Sequence, residues 1–121
     1  MQAFLDFLGG GVLQIPTTLP TLDELVGVNG MQAGDATRRI FELSRADGPR
    51  HHVFTLHAEL EGGAYVAEFE TLLRAWQESG LTFRTLGDVA LAIEPTSLRT
   101  SRIRFGAMEG RSGTLALQAG E

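Results

Sequence analysis

The spacing of apolar and polar residues changes along the chain, and each change of period marks an element. The steadiest signal runs through Tyr65, Phe69, Leu72, Leu73 and Trp76, which recur at i, i+4, i+7, i+8 and i+11 and so form the single stripe of an amphipathic helix. Gly80 follows where such a helix needs a residue that turns left-handed without steric cost. A second helix is expected over residues 35–46, with Ile40, Phe41 and Leu43 set among Arg38, Arg39, Glu42 and Arg45; Asp35 is its expected N-cap and Asp47-Gly-Pro49 its stop. His52-Val-Phe-Thr-Leu-His57 is the clearest strand. Val53, Phe54 and Leu56 give it β-branched and aromatic character, and with only Thr55 polar inside it, a buried strand with parallel neighbours is expected.

Shorter elements fill the intervals. Val12-Leu-Gln-Ile15 is a short β-like run stopped by Pro16, and Thr17-Thr-Leu-Pro-Thr21 continues as extended chain. Thr21, with Glu24 three residues on, has the spacing of a capping box for a short helix through Val26. Leu81-Thr-Phe-Arg84 suits a short strand, and residues 85–91 a helix capped by Thr85 with Asp88 at the box position. Two β-like runs between Ile103 and Leu117 flank Glu109-Gly-Arg-Ser-Gly113, the pattern of a hairpin. The order of elements is that of an α/β protein built from βα units. Three or four short strands are too few for a closed barrel, which takes about eight strands in ~250 residues, so the count suggests a piece of something larger. Residues 1–11, an apolar start around Phe4, Leu5, Phe7 and Leu8 followed by Gly9-Gly-Gly11, are expected to be a flexible segment, and residues 12–121 one partial domain.

Composition narrows the function classes. The chain has 121 residues, 43% of them apolar, enough for one core, and its 21% charged fraction and net charge of −5 lie outside the disordered regime. All ten basic residues are Arg, but they are dispersed within an acidic chain, which argues against a nucleic-acid surface. With no Cys, any metal must be held by His, Asp or Glu. The start carries Asp6, has no basic flank and is too short for a signal sequence; no run approaches the ~20 apolar residues of a membrane span. The expectation is a chain neither secreted by a signal nor transmembrane.

Candidate chemistry gathers at one strand end. His57 ends the expected strand and is followed by Glu59 and by Glu61-Gly-Gly63. In α/β folds ligands and catalytic groups collect at that edge, so His57 and Glu59 are placed for proton transfer; a histidine hydrogen-bonded into a loop is the plainer alternative. His51 and His52 lie at the other end of the strand and point to opposite faces, so the three histidines do not suit one zinc, and a solvated basic turn describes these two. Gly9-Gly-Gly11 lacks the Gly-Lys-Ser of a phosphate loop and reads as a linker. Tyr65, Phe69 and Trp76 could stack on sugar, but their helical spacing assigns them to the core. Asp23 and Glu24, near the end of the extended stretch, are a second pair of carboxylates; capping accounts for Glu24, and Asp23 is the functional candidate.

Three stretches carry a family resemblance: Gln14-Ile-Pro-Thr-Thr-Leu-Pro-Thr-Leu-Asp-Glu24; Val53-Phe-Thr-Leu-His-Ala-Glu59 with Glu61-Gly62; and Leu81-Thr-Phe83 with Leu86. Together with the tail at Gly110-Arg111 to Gly113 they resemble the C-terminal half of polysaccharide-deacetylase-type enzymes, in the branch that removes a formyl group from a lipid-linked amino sugar. The resemblance spans roughly residues 12–118. It implies the C-terminal part of a distorted (β/α) barrel with a terminal β-hairpin. It also implies a divalent metal, usually zinc, that activates water against an N-acyl group in the complete enzymes. His57 takes the place of the family's late histidine, the general acid that protonates the departing amine; Glu59 is the adjoining motif position, orienting or binding, and Thr18 and Asp23 fall in a loop at the substrate end.

The family's metal is held by an Asp-Asp motif and a His-x-x-x-His motif, and neither occurs in this sequence. No cofactor is therefore expected on this chain alone. Without a metal nothing lowers the pKa of water from ~15.7 towards ~7. A general acid by itself gives ~10²–10⁴-fold, so the chain is expected to be inactive alone. Two readings follow. In one, the chain is part of a deformylase of undecaprenyl-phosphate-linked formamido-arabinose, acting in lipid A modification at the cytoplasmic face of the inner membrane with the metal-holding half as partner. In the other it is a non-catalytic remnant that self-associates through open strand edges.

Overall fold

A computed structural model describes residues 13–46, 51–98 and 102–118. The expected flexible segment 1–11, Val12 and the Asp47-Gly-Pro49 stop lie outside the described residues. The helices in order are α1 (Leu22–Leu25), α2 (Ala33–Arg45), α3 (Val66–Glu78) and α4 (Leu86–Ala92). A hairpin of β1 (Ile103–Gly106) and β2 (Leu115–Gln118) follows, antiparallel, with Arg104 opposite Leu117 and Phe105 opposite Ala116. The protein is thus of mixed helix and sheet, and the sheet among the described residues is this small antiparallel hairpin. The chain divides into two compact units, Thr17–Thr82 and a second made of Met1–Pro16 with Phe83–Glu121.

The first unit holds the core. Leu19, Leu22, Ala36, Ile40, Leu72 and Trp76 are buried there, with Phe41, Leu43, Phe54, Tyr65 and Leu73 packed around them. The stripe read for α3 is the face that enters this core, and its aromatic residues pack there: Phe54 stacks on Phe69 at 6.3 Å and meets Trp76 edge-on at 5.7 Å. The Trp76 indole N–H donates to Ser44 Oγ at 2.9 Å, and the Ser44 hydroxyl donates to Phe41 O, which ties α3 to α2. Helix α3 closes as Gly80 predicts. Gly80 has φ 85°, its N–H reaches Gln77 O, and the N–H of Leu81 reaches Trp76 O, the paired bonds of a Schellman end.

Several expectations need correction. Helix α2 begins at Ala33, so Gln32 is the N-cap and Asp35 sits in the first turn, 3.5 Å from Arg38. At α1 the Thr21 side chain makes no bond to the helix N–H groups and turns to the carboxylates beside it. Residues 52–57 are extended but form no sheet, and Leu56 is 48% exposed. Their neighbour is the Pro-bounded stretch around Thr18, which bonds them at residues 52 and 53 without a ladder: Thr18 and Leu19 both donate N–H to Val53 O, and Val53 N–H donates to Thr18 Oγ1. Residues 13–15 and 81–84 are likewise not strands; the apolar pattern names a face, but a strand exists only through a ladder of partners.

In the second unit Thr85 caps α4 as expected, accepting from the Asp88 N–H at 3.0 Å. The hairpin also matches its expected position. Among the described residues this unit buries no large apolar side chain fully; Leu91 and Phe105 are 88% and 75% exposed.

Candidate functional site

The site candidates of the first unit come together because two distant stretches are pinned to each other. Pro16 and Pro20 keep the chain extended, the bonds to Val53 fix Thr18 against the second stretch, and Leu19 and Leu22 anchor the run in the core. Asp23 therefore stands on the single turn of α1 opposite the end of residues 52–57. There its Oδ1 lies 3.7 Å from His57 Nδ1. That distance is too long for a good hydrogen bond.

Thr21 Oγ1 stands 2.5 Å from Asp23 Oδ1 and 3.1 Å from Glu24 Oε1, and its one proton serves either carboxylate. His57 Nδ1 is buried although the side chain is 32% exposed. Its Nε2 is neither buried without a partner nor held in a hydrogen bond, and so is open to approach. The ring thus has one nitrogen turned to a carboxylate and the other available, the arrangement of a histidine that exchanges a proton with a bound molecule.

Immediately after His57 the chain makes a helical turn and then a wide, π-type turn, Leu60–Ala64, closed by the Tyr65 N–H on Leu60 O at 2.8 Å. Glu61 in this turn is 1% exposed. Its Oε2 accepts the main-chain N–H of His57 at 2.8 Å.

The other candidates fall outside this contact. Glu59 is exposed and joins none of these bonds. Thr18 is half-buried with its hydroxyl between Val53 N–H and His52 Nδ1, the latter at 2.9 Å. His52 is accordingly part of the pinning of the two stretches and not of a solvated turn, whereas His51 is exposed as expected. Glu61 is the residue that the spacing did not single out. Its signal was a glutamate four residues after a strand-end histidine, one beyond the spacing at which a side chain reaches back to a capping N–H.

The zinc or other divalent metal implied by the resemblance does not fit here. No group of three His, Asp or Glu among the described residues is arranged to hold a metal ion. The two carboxylates in contact with His57, Asp23 and Glu61, are turned to its Nδ1 and its main-chain N–H.

No family model matches the chain. Curated proteins do, among them two named "Probable 4-deoxy-4-formamido-L-arabinose-phosphoundecaprenol deformylase ArnD". The one from Wigglesworthia glossinidia brevipalpis is 33% identical over 118 residues, 95% of this chain and 40% of the relative. The one from Shewanella sediminis (strain HAW-EB3) is 35% identical over 106 residues, 88% of this chain and 34% of the relative. The chain spans well under half the length of these relatives, and along nearly all of its own length it resembles a partial formamido-arabinose-phosphoundecaprenol deformylase.

Proposed function

We propose that the chain supplies the proton-donating side of a deformylase site that acts on a lipid-linked formamido sugar. The observation that carries this reading is the seating of His57, with Nδ1 against Asp23 at 3.7 Å and Nε2 accessible. Deformylation breaks the C–N bond of a formamide and adds water across it, giving formate and a free amine. In this reading the protonated His57 ring gives its Nε2 proton to the departing nitrogen, while Asp23, held by Thr21, faces the Nδ1 side of the ring. Glu59, exposed beside His57, contacts the substrate, and Thr18 shapes the same end through its hold on residues 52 and 53. The described elements would form the C-terminal part of a distorted barrel of the deacetylase type. Residues that activate the attacking water are assigned to the metal-holding half, which would work with this chain at the inner membrane's cytoplasmic face.

The test is hydrolysis of a formylated amino-sugar phospholipid with zinc present, using the chain alone and then mixed with a polypeptide carrying the Asp-Asp and His-x-x-x-His motifs. Formate release is expected from the mixture, and His57→Ala should lower it ~10²–10⁴-fold. Equal release by wild type and His57→Ala would overturn the assignment, and so would the absence of release from the mixture.

A further inference from the structure

The second unit is built from elements that suit an interior, and among its described residues it has none. Helix α4 carries apolar side chains on opposite sides: Val89 and Ala90 are half-buried, while Leu91, about 200° around the helix from Val89 at ~100° per residue, is 88% exposed. The hairpin is apolar on both faces. Residues directly opposite each other in an antiparallel pair share a face, so Leu115 and Leu117 lie on one with Arg104 and Gly106, and Ile103, Phe105 and Ala116 lie on the other. The first of these faces is partly covered by the hairpin itself. Arg104 folds back along it, so that a Cβ on Gly106 would stand 2.8 Å from Arg104 Nη1 and 3.2 Å from Leu117 Cδ1. The second face is bare, with Phe105 75% exposed and Ala116 exposed opposite it.

A helix apolar on opposite sides and strands apolar on both faces belong between two layers, because apolar surface stabilises only where it is covered. A two-stranded hairpin is also marginal by itself in water. The relatives indicate what supplies the second layer. The match to the Wigglesworthia protein runs over 95% of this chain, which leaves too few residues out to exclude α4 or β1, and it takes up 40% of that relative. In the relative the same elements therefore stand in one chain with a further portion longer than everything matched here. We infer that Leu91 of α4 and the Phe105 face of the hairpin are docking surfaces, and that their occupant is a polypeptide equivalent to the part of the deformylase relatives that this chain does not match. The choice of occupant rests on the reading of the chain as one side of a deformylase site; the bare faces do not. The first unit, which has its own core, does not need this cover to fold.

The full chain is co-expressed with the part of the Shewanella sediminis relative that lies outside its matched residues, and capture and amide hydrogen exchange are measured. The amides of α4 and β1 are expected to exchange fast in the chain alone and ~10-fold or more slowly in the complex. Leu91→Asp and Phe105→Asp should each weaken capture ~10-fold or more, whereas Val66→Asp, at an exposed apolar position of the first unit, should leave it within about 2-fold. If either aspartate variant unfolds the second unit, the exchange of wild type with and without the co-expressed polypeptide decides alone. Failure to form a complex, an equal loss with Val66→Asp, or α4 and β1 amides already protected in the dilute chain would overturn the inference. So would the same protection brought about by a second copy, seen as dependence on chain concentration, or by phospholipid vesicles, since either names a different occupant. A complex with the expected exchange pattern that releases no formate would count against the proposed function and leave the docking surfaces in place.

Discussion

Ile40 and Leu91 are both apolar and both helical, yet the first is fully buried and the second 88% exposed. Ile40→Ala removes packed methylenes and leaves a cavity, so a loss of about 2–5 kcal/mol is expected, whereas Leu91→Ala should stay within about 0.5 kcal/mol of wild type; urea unfolding monitored by circular dichroism compares the two. The same contrast explains which residues of the site could be read from sequence. His57 was legible because a strand-end histidine is conspicuous, and Asp23 because a carboxylate beside a Pro-bounded turn is. That they meet at 3.7 Å was not legible, since the contact depends on Thr18 and Val53, which bond across 35 residues of chain. Glu61 was passed over because its role is to grip a backbone, which no side-chain motif announces.

At the scale of the element, helices were the legible part. Their hydrogen bonds are local, so the stripe from Tyr65 to Trp76 and the Thr85 cap were sufficient to place α3 and α4. The strands expected over residues 52–57 and 81–84 were not, because these residues have strand-like side chains but no ladder of partners. One terminator can be tested in isolation. Gly80 has φ 85° with open space where a Cβ would go, so Gly80→Ala meets no clash and incurs only the left-handed backbone cost, about 1–2 kcal/mol by thermal unfolding. A neutral effect would mean that the end of α3 unwinds in solution. The exposed i, i+4 pair of Glu70 and Arg74 on the same helix is different in kind: the hydrogen bond and charge of Glu70 raise the Arg74 pKa, but a guanidinium is charged either way at neutral pH.

For the whole molecule, burial is unevenly shared. Among the described residues, the buried apolar ones all lie between Leu19 and Trp76, within the unit Thr17–Thr82, while those of the other unit are half-buried or exposed. Amide hydrogen exchange should therefore be slowest at Ile40, Leu72 and Trp76 and markedly faster at Phe105 in β1; uniform protection would contradict this division. The expected parallel α/β architecture required strands to find each other, and the described strands pair only as a hairpin. At this scale the likeness to part of a deformylase was legible in the residues, and two relatives at 33% and 35% identity support that likeness.

The core of that better-packed unit also has an optical property. The chain has a single tryptophan, and Trp76 is 6% exposed, edge-on to Phe54 and donating its indole N–H to Ser44. Its emission reports from the interface of α2 and α3 with no competing fluorophore of the same kind. Phe54 lies three residues before His57, so a ligand that shifts residues 52–57 would change the colour or brightness of this one indole, and binding could be followed by fluorescence without attaching a dye.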